Sequence, residues 1–256
     1  MPAATIQSIF RYPVKGLSPQ ALPRTALAAG GTLPGDRQYA IENGPVGFDP
    51  AHPAYFPKQR FLMLMRNERL AALKTDYDEA TRTLTVHHEG REAVRGDLRT
   101  ADGRAAVEAF MAAFCAGELN GPPKVLCGEG HSFSDVAKKV VSIINLASLA
   151  AVEAAVGRPV DPLRFRANLY VTGWPAWREF ELMGHEFDAG HARLKVVKRI
   201  VRCAATNVDP TTGVRDMTIP QTLMQTFDHM DCGVYAEVVE GGEIAVGDTL
   251  RDGTLL

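Results

Sequence analysis

Residues 70–88, LAALKTDYDEATRTLTVHH, read as two arms around a polar turn. The second arm, 82–88, alternates Leu84 and Val86 with Thr83 and Thr85, which places the aliphatic pair on one face of a strand. Residues 78–81, Asp-Glu-Ala-Thr, turn the chain back onto the first arm, 70–77, so a β-hairpin is expected. Upstream, 5–11 reads as a short strand stopped at Pro13, and 38–42 as another after the turn signal Leu33-Pro34-Gly35-Asp36. A meander or barrel is the natural packing for a first third so rich in strands.

Between these strands, residues 43–58 hold four prolines and no periodicity, the signature of a long loop that is either functional or disordered. Val107, Phe110, Met111 and Phe114 recur at helical spacing, giving a helix over 102–115 with Asp102 as its N-cap. A second helix, 146–156, carries Leu146, Leu149, Val152 and Val156 on one face and ends at Gly157. The Gly/Pro/Ser-punctuated stretch 117–135 is the expected linker, dividing the chain into 1–117 and 118–256. Strands are then expected at 169–172, 180–183, 194–201, 234–239 and near Ile244, with a short helix at 221–227. The class is α+β with β dominant.

The chain has 256 residues, 46% hydrophobic and 23% charged, so it is long enough for a sizeable core. Its 23 glycines and 16 prolines argue against long helical bundles and coiled coils. A net charge of −2 gives no bulk attraction to nucleic acid or to an anionic membrane, and neither is expected as a partner. No window reaches the ~18 uncharged apolar residues of a spanning helix, and Arg11 interrupts the N-terminus too early for a signal peptide; a cytoplasmic protein is expected. Cys115, Cys127, Cys203 and Cys232 are scattered, without a C-x-x-C pair or a C-x4-C-x2-C run, so free thiols are expected and no iron–sulfur relay. H-E-x-x-H, G-x-S-x-G, Walker and G-x-G-x-x-G patterns are all missing from the sequence, and His87-His88 is not spaced as a metal pair.

The candidate chemistry lies at strand ends. Cys203, in KVVKRIVRCAATNVDPTTG, follows an apolar-basic strand. Cationic neighbours favour the thiolate, the form that ligates metals or attacks electrophiles; a buried, inert thiol is the alternative. Strand alternation puts Val197, Arg199 and Val201 on its face and turns Arg202 away unless a bulge intervenes. Lys15, after Tyr12-Pro13-Val14, and Arg37, after Gly35-Asp36, sit where glycine allows a backbone to approach an anion. Read without a ligand, both cations face water. Arg164 and Arg166 flank Phe165, and an extended backbone would bring both to one face, ready for an anion.

Taken together and in order, IFRYPVKGLSP (9–19), LPGDRQYAI (33–41), FSDVAKKVVSIINLASL (133–149), RFRANLYVTG (164–173), RCAATNVDPTTG (202–213) and CGVYAEVVEGGEIAVGD (232–248) resemble the MOSC family, named for the C-terminal domain of molybdenum-cofactor sulfurase, with its companion N-terminal domain. The resemblance implies an N-terminal β-barrel-like domain, a MOSC β-barrel domain with a few helices, and a pocket for molybdenum-molybdopterin. In the related amidoxime-reducing enzymes the matching cysteine ligates molybdenum, which falls on Cys203; a soft thiolate suits the metal beside the dithiolene sulfurs. Lys15 and Arg37 map to the cofactor's phosphate end, Gly16 offers a backbone N–H where the family often has a hydroxyl residue, and Arg166 matches the F-R-x-N arginine. Ser134, Asp135, Arg202 and Tyr235 map to further cofactor contacts, whereas Cys232 replaces a frequent aromatic.

The resemblance implies a molybdenum-dependent oxidoreductase that reduces small N-hydroxylated compounds with electrons from a separate electron-transfer protein. A cofactor or sulfur carrier with a Cys203 persulfide is the alternative, and a ligand-binding barrel without turnover is the third. Pyridoxal phosphate binding is a further implication of the resemblance.

Overall fold

A strand from the first residues of the chain closes a barrel built mostly from the last half. The computed structural model describes residues 3–252. In the first half lie β1 (Ala4–Arg11), β2 (Gln20–Leu22), β3 (Arg24–Leu27), β4 (Tyr39–Asn43), β5 (Lys74–Asp78), β6 (Thr83–His88), β7 (Arg91–Asp97) and α1 (Ala101–Phe114). Then come β8 (Pro123–Cys127), β9 (Val141–Asn145), α2 (Leu146–Val156), β10 (Leu169–Thr172), α3 (Arg178–Glu181), β11 (Glu186–Ala189) and β12 (Ala192–Val201). The chain ends in α4 (Ile219–Phe227), β13 (Asp231–Glu240), β14 (Gly242–Ala245) and β15 (Thr249–Asp252). The fold is β-dominated α+β. Among the described residues no helix is long and apolar enough to cross a membrane.

The barrel runs β10-β9-β13-β12-β11-β15-β1, and β1 pairs back onto β10 to close it. All its pairings are antiparallel except β9–β10, where Leu169 stands beside Ile143. Closure leaves no unpaired edge between these strands. Ile6, Ile9, Ile143, Leu169, Val196, Val234 and Val238 fill the interior. The run VSIIN of β9 is buried throughout because it has two covered faces: Ile143 points into the barrel, and Ile144 packs under α2 and α4 with Leu149, Val152 and Leu223.

The hairpin expected over 70–88 is present as β5–β6, with Tyr77 opposite Leu84 and Thr75 opposite Val86, and β7 extends it. Leu84 and Val86 pack on Val107 and Met111 of α1 and on Ile41 of β4. Its first arm is shorter than expected, since Glu68–Ala72 forms a 3-10 helix. Helix α2 occupies 146–156 and stops at left-handed Gly157 (φ 79°). For α1 the cap is Thr100, whose hydroxyl accepts from Gly103 N at 3.0 Å, and Asp102 lies in the first turn instead. Residues 178–181 are a helical turn rather than part of a strand. The stretch 117–135 contains β8, which pairs with β4 from Tyr39↔Cys127 to Asn43↔Pro123. The proline-rich segment 44–57 forms neither helix nor strand, yet it is packed: Phe48 and Phe56 lie against Phe133 and Phe61.

Candidate active site

Lys15, Gly16, Arg37, Ser134, Asp135, Arg166, Arg202, Cys203 and Tyr235 all line one cleft of about 230 Å³. Among the described residues eight cations border it, namely Lys15, Arg37, Lys58, Arg164, Arg166, Lys198, Arg199 and Arg202, against Asp36 and Asp135. A chain of net charge −2 thus gathers a strong local excess of positive charge in a concave site, which focuses its field on an anion.

The front of the cleft comes from the turn after β1. Pro13 ends the strand, Lys15 N donates to Tyr39 O at 2.8 Å, and Gly16 takes φ +85°, a conformation that L side chains rarely adopt. A Cβ there would also lie 3.1 Å from Leu62 O. Lys15 is 5% exposed, not solvated as the ligand-free reading of the sequence has it. Its Nζ donates to Phe133 O at 2.9 Å and to Asp135. Burial pushes its pKa down, and the Asp135 carboxylate opposes that shift.

The Gly35-Asp36-Arg37 turn lies against the same segment, with Arg37 N donating to Tyr12 O at 2.7 Å and Tyr12 N to Asp36 Oδ1 at 2.8 Å. The Arg37 guanidinium, also largely buried, donates to Asp36 and to Arg166 O at 2.9 Å. Burial disfavours its charge, but Asp36 and Tyr12 outweigh that and hold its pKa above the ordinary value.

Arg166 completes this wall. The segment Pro162–Phe165 is a 3-10 helix capped by Arg166 in the left-handed region, φ 52°. The backbone is therefore not extended, and the two arginines of LRFRAN diverge. Arg164 turns to Asp216 (2.8 Å), Asp209 (3.2 Å) and Asn207 O (3.1 Å), which fastens the loop that follows Cys203. Arg166 donates through Nη1 to Leu17 O at 2.9 Å, while its buried Nη2 has no partner. Burial lowers its pKa to about 10, and Arg37 pushes the same way.

At the other wall β12 ends at Val201, after a register break against β13 between Arg199 and Val201. That irregularity lets both Arg202 and Cys203 border the cleft, contrary to simple alternation. The buried Arg202 donates to Cys232 O (2.7 Å) and Phe165 O (2.9 Å), tying three segments together. Arg199 instead stacks over Phe180, 4.4 Å from its centroid. The cation at the thiol is Lys58, whose Nζ lies 3.3 Å from Cys203 Sγ and 3.4 Å from Asp135 Oδ2. Sequence reasoning missed it; its one signal was its place at the end of the proline-rich loop. Asp135 and Cys203 hold the Lys58 pKa above its ordinary value against the opposing effect of burial. Lys15, Asp135, Lys58 and Cys203 thus form one connected chain.

Burial pushes the other thiols up, to about 11 for Cys115 and about 12 for Cys232, with Cys127 moved the same way. Cys115 and Cys232 are the buried kind, and Cys127 is half-buried. Burial also raises the Tyr235 phenol, and Asp135 adds to the shift. Among the described residues no three His, Cys, Asp or Glu side chains converge on a possible metal position. A second cavity of about 300 Å³ adjoins the first across Gly16, Leu64, Arg164, Arg166 and Ala205.

Comparison with known families matches residues 125–251 to the MOSC domain and residues 3–118 to the MOSC N-terminal beta barrel domain. Mitochondrial amidoxime reducing component 2 of Bos taurus is 31% identical over 120 residues, covering 42% of this chain and 35% of that protein. The Homo sapiens component 2 is 30% identical over 118 residues, 41% of this chain and 35% of the relative. The matched stretch thus spans about a third of the length of these curated relatives. Among solved structures, the YuaD protein from Bacillus subtilis aligns over 97% of this chain and 94% of its own at 12% identity, TM-score 0.46. YiiM from Escherichia coli aligns over 45% of this chain and 55% of its own at 19% identity, TM-score 0.35.

Proposed function

Because the chain belongs to the MOSC domain family, with the family's N-terminal barrel domain ahead of it, we propose that its cleft holds molybdenum-molybdopterin and reduces small N-hydroxylated compounds. One observation carries this reading: the Arg166 guanidinium, whose buried Nη2 has no partner among the described residues, borders the same cleft as the accessible soft donor Cys203. An unsatisfied buried donor costs about 1–3 kcal/mol, and a shift of the side chain that brings it to a phosphate oxygen would remove that cost. The residues therefore fit a ligand with a phosphate at one end and a soft metal at the other.

In this reading Arg37, Arg166 and Lys15 hold the phosphate end, with the Gly16 N–H available where no side chain intrudes. Cys203 is the single protein ligand of the metal. Arg202 braces the Cys203 segment from behind, and Ser134 and Tyr235 border the space between the two ends. Lys15 and Lys58 both pair with Asp135, and Lys58 also reaches the Cys203 sulfur, so a neutral N-hydroxyl group meets a wall whose carboxylate is already compensated. When bound, the cofactor supplies two-electron oxygen-atom transfer. The chain's scattered cysteines offer no cluster site, so the reading requires electrons from a separate electron-transfer protein. The name of the relatives, amidoxime reducing component, supports the substrate class.

The test is composition followed by turnover. Protein made in a host competent for the cofactor is expected to contain about one molybdenum and one pterin per chain, and to oxidise reduced methyl viologen when benzamidoxime is added. Loaded protein that is inert toward N-hydroxylated compounds, yet passes cyanide-releasable sulfur from Cys203 to an acceptor, would replace this reading with the carrier. Metal- and pterin-free protein from the same host would remove both.

A further inference from the structure

Two guanidiniums share one aromatic ring at the cleft wall. Arg37 Cζ lies 4.7 Å and Arg166 Cζ 4.2 Å from the centroid of Tyr12, which is fully buried. Like charges this close repel, and burial withdraws the water that would screen them. Arg37 has Asp36 as a counter-ion, but among the described residues no carboxylate lies within ion-pair distance of Arg166, on which Asp36 and Asp135 act only from farther away. What faces the Arg166 charge is the Tyr12 ring and a carbonyl, Leu17 O. Arg166 also holds a left-handed backbone, which disfavours a non-glycine residue. A charge on a left-handed backbone, with no carboxylate in ion-pair contact among the described residues and with one N–H unused, is arranged for something outside the protein.

We propose that Tyr12 is the positioning residue of an anion clamp: the π system of its ring holds the Arg37 and Arg166 guanidiniums at the wall of the cleft, where they receive a dianionic phosphate group. The ring acts on the arginines through its quadrupole, a contribution that grows when the pair is desolvated. Its hydroxyl makes no hydrogen bond of good geometry, so the π face is the working part. The proposal rests on the phosphate end of the functional reading above and extends it to a residue that does not border the cleft.

The experiment uses the cofactor-free full chain and inorganic pyrophosphate as probe, with affinity from isothermal titration calorimetry. Tyr12→Phe is expected to bind within about twofold of the parent. Replacement of Tyr12 by pentafluorophenylalanine keeps the ring's shape and burial but reverses its quadrupole, and is expected to bind about tenfold more weakly with an unchanged circular dichroism spectrum. Arg166→Ala should shrink the difference between the two aromatic variants to the part that Arg37 carries, and the Arg37→Ala, Arg166→Ala double variant should abolish it. Equal affinity of the Phe and pentafluorophenylalanine proteins overturns the proposal, as does a parent chain that binds no pyrophosphate. A clamp that behaves as expected in a protein found to carry neither molybdenum nor pterin leaves this inference standing and removes the functional reading instead.

Discussion

Replacing Arg37 with alanine strips Asp36, which is 5% exposed, of its counter-charge. Tyr12 N still donates to that carboxylate, but one hydrogen bond does not replace a buried ion pair. Arg37→Ala is therefore expected to cost the cofactor-free protein about 2–3 kcal/mol, read as a lower urea midpoint with unchanged m-value, in addition to its loss of phosphate affinity. An unmoved midpoint would mean that Asp36 is satisfied without its arginine. This double role was not legible in the sequence. The motif marks Arg37 as an anion ligand, whereas the burial of Asp36 follows from chain segments far away. Lys58 was invisible for a similar reason, because its meaning comes from Asp135 and Cys203, 77 and 145 residues distant. Glu179 is a third residue that only packing reveals. Fully buried, it accepts from Asn145 Nδ2 (3.0 Å) and Ser148 Oγ (2.9 Å) through Oε2, and Oε1 has no partner. Burial raises its pKa against those two hydrogen bonds. A carboxyl whose folded pKa is raised contributes stability below its unfolded value of about 4.3 and loses it as pH rises through the folded value. Glu179→Gln should thus melt higher than the parent near neutral pH, and the gain should shrink as pH falls toward 4. Melting curves across that range check the sign.

Elements were legible where a periodic pattern and its end signals agree. Helix α2 is the clear case: its stripe of Leu146, Leu149, Val152 and Val156 ends at a glycine that takes the left-handed cap. The run Phe180-Glu181-Leu182-Met183 shows the opposite. Phe180 and Leu182 are buried while Glu181 and Met183 are exposed, a period-two alternation that looks like a strand, yet the backbone is a helical turn leading into β11. Short segments of either geometry can bury alternate residues, and only tertiary context decides between them. Strand β8 was hidden by its glycine and proline flanks, since its identity comes from pairing with β4. At the start of α1, pattern reading chose Asp102 over Thr100 because both suit a cap. Geometry assigns the cap to Thr100, with Asp102 left to interact with the helix dipole. Thr100→Ala is accordingly expected to cost about 1 kcal/mol, and Asp102→Ala no more than a few tenths at moderate salt. Chemical denaturation of the two variants side by side would expose a reversed order, which would return the cap to Asp102.

At the scale of the molecule, the closing pairs of the barrel join residues that no local pattern connects: Ile9 with Leu169, Ala4 with Leu250. A sequence division at 117/118 separates β1 from both of its barrel neighbours and β4 from β8. It also splits the cleft, leaving Lys15, Arg37 and Lys58 in one piece and Arg166, Arg202 and Cys203 in the other. The consequences for residues 118–256 expressed alone are physical. β10 and β15 would present unpaired edges, and the interior would lose Ala4, Ile6, Ile9, Leu27 and Leu33, which belong to the same apolar cluster as Val171 and Val234. Open edges beside an exposed apolar face are a template for association with other chains. This fragment is expected to aggregate or to unfold without a cooperative transition, and co-expression with residues 1–117 is expected to recover a soluble complex that melts in one step. The recovered complex should also bind pyrophosphate, because the clamp takes Arg37 from one piece and Arg166 from the other. A single sharp melting transition in residues 118–256 by themselves would mean that the barrel closes without β1, and that the N-terminal strand is an addition to the core rather than part of it.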